Sequence, residues 1–185
     1  SNLSYEEMLY VGAVTALHNS GQYDDADEFF MSGIQDKFLP FNFFRENGQF
    51  VLDLHGLNVA LAHSVVRIAL RQQAATLAEE ETSSQRDMMI ITGKGRNSEL
   101  RLRPILRPEV QRMLLEEFYP PLNTISVPGN TGALTVLAQD IEAWQEQQQQ
   151  QKGIRMLKLA SVLRNLSSQE RLKKIISMKL DSESD

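Results

Sequence analysis

Phe50-Val51-Leu52-Asp53-Leu54-His55-Gly56 is the stretch on which the fold turns. Side chains alternate across a strand, so Phe50, Leu52 and Leu54 share one face while Val51, Asp53 and His55 share the other. The first set suits a core. The second delivers an acid and an imidazole to the strand end, where Gly56 stops it. Two further strand-like runs end in the same way. Met88-Met89-Ile90-Ile91 passes into Thr92-Gly93-Lys94-Gly95, and Thr124-Ile125-Ser126-Val127 passes into Pro128-Gly129-Asn130-Thr131-Gly132.

The segments between these runs read as helices. Asn58 can cap one whose apolar positions Ala62, Val66, Ala69, Ala74 and Leu77 lead to a polar, acidic stop. His63 and Arg67 lie four residues apart on it and read as a solvated face, with a basic ridge over the site as the alternative. Pro108 opens a second helix with Val110, Met113, Leu114, Leu115 and Phe118, and Pro120-Pro121 ends it. On the third strand Ile125 and Val127 are expected inward and Thr124 and Ser126 outward, before a hairpin returns the chain through Leu134-Thr135-Val136. The order β-α-β-α-β-β predicts an α/β fold of two layers, a four-stranded mixed sheet with both helices on one side. The other side is expected to be polar and open, presenting Asp53, His55, Thr124, Ser126 and Thr135.

Residues 4–40 carry two helical patterns divided at Ser20-Gly21, an antiparallel helix pair with His18 on its surface. Residues 140–152 read as a helix around Ile141 and the packing residue Trp144. Two short amphipathic helices and a frayed tail follow. The expected divisions are therefore 1–46, a helix pair; 47–152, the sheet domain with its C-terminal helix; and 153–185, a basic helical extension.

With 185 residues, 42% of them hydrophobic, the chain can bury a core for one domain plus an appendage. The net charge of −5 conceals segregation: residues 1–50 hold two basic and eight acidic side chains, residues 86–112 seven and three, residues 152–180 eight and one. Both basic segments suit a polyanion, although a solvated helix face is the competing reading. The absence of cysteine excludes disulfides and thiolate metal sites. No apolar run is long enough for a membrane span, and no leader is visible. Ser1-Asn2, lacking an initiator methionine, reads as the start of a piece of a longer chain.

If the first three strands run parallel, their glycine turns meet at the carboxyl edge, where α/β sheets bind ligands. Gly93 and Gly95 let backbone N–H groups approach an anion, and Lys94 with the arginines that follow adds charge, so a phosphate suits the turn. The spacing is not that of an ATP-binding P-loop. Asp53 and His55 can position a hydroxyl or water and protonate a leaving oxygen. The alternative is that Asp53 caps its turn and His55 fills a polar pocket.

In this order and spacing, Leu52-Asp53-Leu54-His55-Gly56, Thr92-Gly93-Lys94-Gly95 and Asn130-Thr131-Gly132 resemble the small MutS-related (Smr) domain, over roughly residues 48–144. The resemblance implies a domain acting on RNA or DNA, often an endonuclease, whose Asp-Leu-His-Gly motif is implicated in nucleolysis. It makes Asp53 and His55 the catalytic candidates. Gly56, Thr92, Gly93, Lys94, Gly95, Arg96, Arg101, Arg103, Asn130 and Gly132 are then the nucleic-acid-binding candidates. Thr92 stands where many bacterial members have histidine, which removes a second imidazole from the acid–base scheme. No resident metal site is expected; the cofactor stays unknown, with Mg²⁺ the candidate.

Ala16 to Ala26, with Phe30 and Pro40, is similar to a pentatricopeptide (PPR) repeat, a unit of RNA-binding helical solenoids. Such units need neighbours to bury their faces, so further repeats are expected upstream. Val11 and Phe41 stand at the base-selecting positions, and neither is polar, so this repeat is expected to cap the array and dock on the next domain. Together the two likenesses resemble the C-terminal part of a PPR-SMR protein. That pairing implies RNA processing in a chloroplast or mitochondrion, with single-stranded RNA as partner, DNA as the alternative, and no membrane.

Overall fold

The computed structural model describes residues 4–39, 41, 44–46, 49–79, 87–93 and 105–152. Ser1–Trp144 form one compact unit and Gln145–Asp185 a second; of the second, residues 145–152 are described and are helical. The first unit opens with α1 (Tyr5–Asn19) and α2 (Tyr23–Gln35), the expected helix pair. Ser4 starts α1 with a full capping box: its hydroxyl accepts from Glu7 N–H while the Glu7 carboxylate accepts from Ser4 N–H. Strands β1 (Phe44–Glu46) and β2 (Gln49–Asp53) follow, then α3 (Val59–Glu79), β3 (Met88–Ile91), α4 (Leu106–Glu116), β4 (Thr124–Val127) and β5 (Asn130–Val136). Residues 138–144, the last of this unit, are helical, and the Trp144 ring packs edge-on against Phe118.

The four expected strands form a mixed sheet. β2 runs parallel to β3, β5 lies antiparallel to β3, and β4 lies antiparallel to β5, so β2, β3 and β4 all end at one edge. One short strand was not foreseen: β1 pairs antiparallel with β2 and extends the order to β1-β2-β3-β5-β4.

Residues opposite one another in a ladder share a face. Leu52 and Ile90 pair, as do Ile90 and Leu134, and these core residues meet Val65, Val66 and Ala69 of α3 and Val110, Met113 and Leu114 of α4. Both helices thus cover one side, as the right-handed crossovers require.

The orientation expected for β4 is reversed. Thr124 and Ser126 pair with Val136 and Leu134 and so lie on the helix side. There Gln111 donates to Thr124 Oγ1 at 3.1 Å and Arg107 donates to Ser126 Oγ at 2.7 Å. Four residues of helix rise about 6 Å and two residues of strand about 6.6 Å, so Arg107 and Gln111 match Ser126 and Thr124 in step. The opposite face is not the uniformly polar surface expected. It carries Val51, Met89 and Ile91 alongside Asp53, and Ile125 is half exposed on it.

Every residue of α3 from Ala60 to Leu70 is buried. A helix buried all round needs cover on its outer side as well as its sheet side, and α1 and α2 supply it. This corrects the solvated face expected for His63 and Arg67: both are buried. Arg67 forms a two-pronged pair with Asp27 of α2, Nε to Oδ2 at 2.8 Å and Nη2 to Oδ1 at 2.6 Å, and its guanidinium lies over the Tyr23 ring. Arg71 Nη1 adds a bond to Asp27 Oδ2 at 3.0 Å. His18 is also drawn in rather than left on the surface, its ring 5.1 Å from that of His63.

Candidate functional site

The edge at which β2, β3 and β4 end is built by the ladder itself. Asp53 pairs with Ile91, and Leu54 N–H donates to Ile91 O at 2.8 Å, so the residues after β2 and those after β3 emerge side by side. Leu54 is fully buried and anchors the strand end; truncating such a side chain typically costs about 2–5 kcal/mol. The chain then turns at His55-Gly56, with Leu57 N–H donating back to Leu54 O and Gly56 at φ +83°, a left-handed conformation open to glycine at little cost. Asn58 caps α3 as expected: its Oδ1 accepts from Leu61 N–H at 2.9 Å, while its Nδ2 donates to Thr15 Oγ1 of α1.

With Leu54 turned inward, Asp53 and His55 both face out. His55 Nδ1 lies 2.5 Å from Asp53 Oδ1, and the His55 backbone N–H also donates to that oxygen. The His55 side chain is 70% exposed and that of Asp53 35%. With Asp53 as a carboxylate, the proton of a neutral His55 ring lies on Nδ1, which leaves the lone pair on Nε2. Asp53 thus caps the turn and holds the imidazole with the same oxygen, while His55 stands exposed rather than filling a polar pocket.

The second motif backs onto the first. Gly93 sits at φ +77°, and a Cβ built on it would lie 3.3 Å from His55 Cβ. Its N–H is directed elsewhere: Gly132 O accepts from Thr92 N–H at 2.7 Å, from Thr92 Oγ1 at 3.1 Å and from Gly93 N–H at 3.1 Å. The third motif is therefore stitched to the second. Gly132 N–H donates in turn to Asn130 Oδ1 at 3.1 Å.

Asp53, His55, Gly56, Thr92, Gly93, Asn130 and Gly132 are thus brought to one edge. Lys94, Gly95, Arg96, Arg101 and Arg103 lie outside the described residues. Sequence reasoning missed Arg107, in the first turn of α4, which donates to Thr131 O at 2.5 Å and Ala133 O at 3.2 Å as well as to Ser126. The available signal was a cation at the wrong end of a helix, where the macrodipole disfavours it.

The second polar cluster lies between α1, α2, α3 and α4. Burial holds the His63 imidazole down to about 4, with His18 and Arg67 acting in the same direction. Neither of its ring nitrogens has a hydrogen-bond partner among the described residues. Burial also lowers His18, with Arg67 helping, and raises the Glu117 carboxyl. Among the described residues no group of three or more His, Asp or Glu side chains is placed to hold a metal ion, and no helix is long and apolar enough to cross a membrane.

The family model described as Smr domain matches residues 52–153. Two solved structures are similar. One is the solution structure of the SMR domain of NEDD4-binding protein 2, 26% identical, covering 52% of this chain and 93% of that chain at a TM-score of 0.36. The other is the crystal structure of a human small-MutS related domain, 26% identical, covering 46% and 96% at a TM-score of 0.32. No curated protein matches the chain.

Proposed function

Because this chain belongs to the Smr domain family, a nucleic-acid-binding and nuclease-related fold, we propose that it binds single-stranded RNA and cleaves phosphodiester bonds at the Asp53–His55 edge. The observation that carries this reading is the exposed imidazole held at 2.5 Å by a carboxylate. His55 Nε2 takes the proton from a 2′-hydroxyl or a water as that oxygen attacks phosphorus. The bond from phosphorus to the leaving oxygen breaks, and the leaving oxygen takes up a proton from the imidazolium or from water. General acid–base catalysis of this kind contributes about 10²- to 10⁴-fold. Lys94, Arg96, Arg101 and Arg103 supply the cations for the phosphates. In the wider assignment α1 and α2 are a terminal PPR unit, further repeats choose the transcript, and the protein works in a chloroplast or mitochondrion.

A second reading, binding without cleavage, is favoured by Thr92. Its hydroxyl is engaged by Gly132 O and takes no part as a second acid or base. Labelled single-stranded RNA incubated with the chain, with and without Mg²⁺, separates the two. Cleavage is the expected result; retained binding with no cleavage in any condition overturns the enzymatic reading in favour of the second. Lys94→Ala combined with Arg96→Ala should weaken binding and flatten its salt dependence by up to about one unit per lost phosphate contact.

A further inference from the structure

We propose that Arg107 is a positioning residue for the Asp53–His55 pair, acting through Gly132 and Gly93; the proposal rests on the reading of that pair as the reactive centre. Arg107 lies in the first turn of α4, where a cation faces the positive end of the helix dipole, so its placement is not explained by helix stability. Its guanidinium answers a need of the neighbouring hairpin. The β4–β5 register shifts between Ser126 and Val127, so Thr131, Gly132 and Ala133 have no partner on β4, while Ala133 keeps its pairing with Ile91 of β3. A bulge leaves backbone groups without their ladder partners. Arg107 reaches the carbonyls on either side of Gly132, Thr131 O at 2.5 Å and Ala133 O at 3.2 Å, and fixes Ser126 Oγ at 2.7 Å with its other terminal nitrogen.

With both flanking carbonyls drawn towards α4, the Gly132 carbonyl is left for β3, where it accepts from Thr92 N–H, Thr92 Oγ1 and Gly93 N–H. Gly93 is thereby held at φ +77° against His55, where even an added methyl would come within 3.3 Å of His55 Cβ. The route from guanidinium to imidazole is contiguous: Arg107, the bulge, the Thr92-Gly93 turn, His55. It needs a planar fork that spans two carbonyls and a hydroxyl. Lysine, a single ammonium on a flexible stem, does not reproduce it.

The test reads the His55 ring directly. The chain has three histidines, and a His55→Gln variant assigns the His55 signals in ¹⁵N NMR spectra of the full chain, which report which ring nitrogen holds the proton. The parent should show the Nδ1–H form. Arg107→Ala should spread the population towards Nε2–H, with Arg107→Lys giving a smaller shift in the same direction. Arg112→Ala, on the same helix but paired with Glu109 and Glu116, should leave the ring unchanged. In RNA cleavage Arg107→Ala should lower kcat by on the order of ten- to a hundredfold, with KM within about twofold of the parent.

A folded Arg107→Ala chain with unaltered His55 signals overturns the proposal, as does an equal shift in Arg112→Ala. Should Arg107→Ala not fold, Arg107→Lys decides by the same spectrum, and a ring identical to the parent's overturns it. If the parent cuts no RNA, the functional reading fails, and the ring signals still decide whether Arg107 positions the pair.

Discussion

Asp53–His55 and Asp27–Arg67 are both carboxylates paired with nitrogen bases, and they do opposite work. The first joins residues two apart in sequence, with side chains 35% and 70% exposed. The second joins α2 to α3 across 40 residues of chain, with side chains 3% and 7% exposed. What separates them is the bonding capacity left over. Both Asp27 oxygens are engaged by Arg67 and Arg71, so nothing remains for a ligand. His55 keeps a ring nitrogen beyond its bond to Asp53 and presents it in an exposed side chain. Exposed pairs contribute only about 0–1 kcal/mol, so the geometry of Asp53 and His55 is owed to the buried Leu54, the Gly56 turn and the stitched bulge behind Gly93. The buried pair fixes how the helix pair sits on α3.

Removing half of the buried pair is the hardest blow to that contrast. Asp27→Ala leaves the buried Arg67 charge with Glu117, 4.0 Å from Nη1, as its remaining carboxylate, and should lower the unfolding free energy by about 3–5 kcal/mol, measured by urea titration at neutral pH. A loss below about 1 kcal/mol would mean that the interface re-solvates freely and that the two regions do not differ as described.

Acid should act next. His63 is held neutral down to about pH 4 in the fold, whereas the unfolded chain takes up the proton near pH 6.5. Between these values the unfolded state binds more protons, so stability falls as pH falls through this window and the contribution levels off below it. The full loss from this group is about 3 kcal/mol. His18 on α1 adds to it, since burial lowers that group as well. Urea titrations from pH 7.5 to 4.5 should show this slope, and His63→Leu, which discards ring nitrogens without partners, should flatten it. An unchanged slope in His63→Leu would place the acid sensitivity elsewhere.

Much of the site was legible because strand parity and glycine turns are local. Alternation alone put Leu54 inside and Asp53 with His55 outside, and three strand-turn units of one direction had to converge. The failures share a cause: each depended on what packed against the element. β4 reads Thr-Ile-Ser-Val, a pattern whose apolar pair points inward by polarity alone; Gln111 and Arg107 on α4 offer hydrogen bonds that draw Thr124 and Ser126 to the helix side instead. His63 and Arg67 looked solvated because nothing in α3 announces that α1 and α2 will cover it. β1 is the exception: Asn47-Gly48 is a two-residue hairpin signal in the sequence, and the strand before it is only three residues long. Arg107 carries one local signal, a cation in the first turn of a helix, but two of its three partners are carbonyls, which no side-chain pattern reveals.

The smallest expected change in stability is also the sharpest test of the contrast. Asp53→Asn keeps the shape of the side chain and an oxygen that can still accept the His55 N–H, so the turn persists. The pair it alters is largely exposed, and the unfolding free energy should shift by no more than about 0.5–1 kcal/mol. The chemistry should respond far more. Without the carboxylate charge the Nδ1–H form loses its stronger acceptor, so RNA cleavage should fall by about 10²- to 10⁴-fold. Binding should stay within about twofold of the parent, because the cations proposed for the phosphates are untouched. A stability loss approaching that of Asp27→Ala would make Asp53 a turn cap first and last. Cleavage at the parental rate would remove it from the reaction, and the two pairs would then differ in exposure alone.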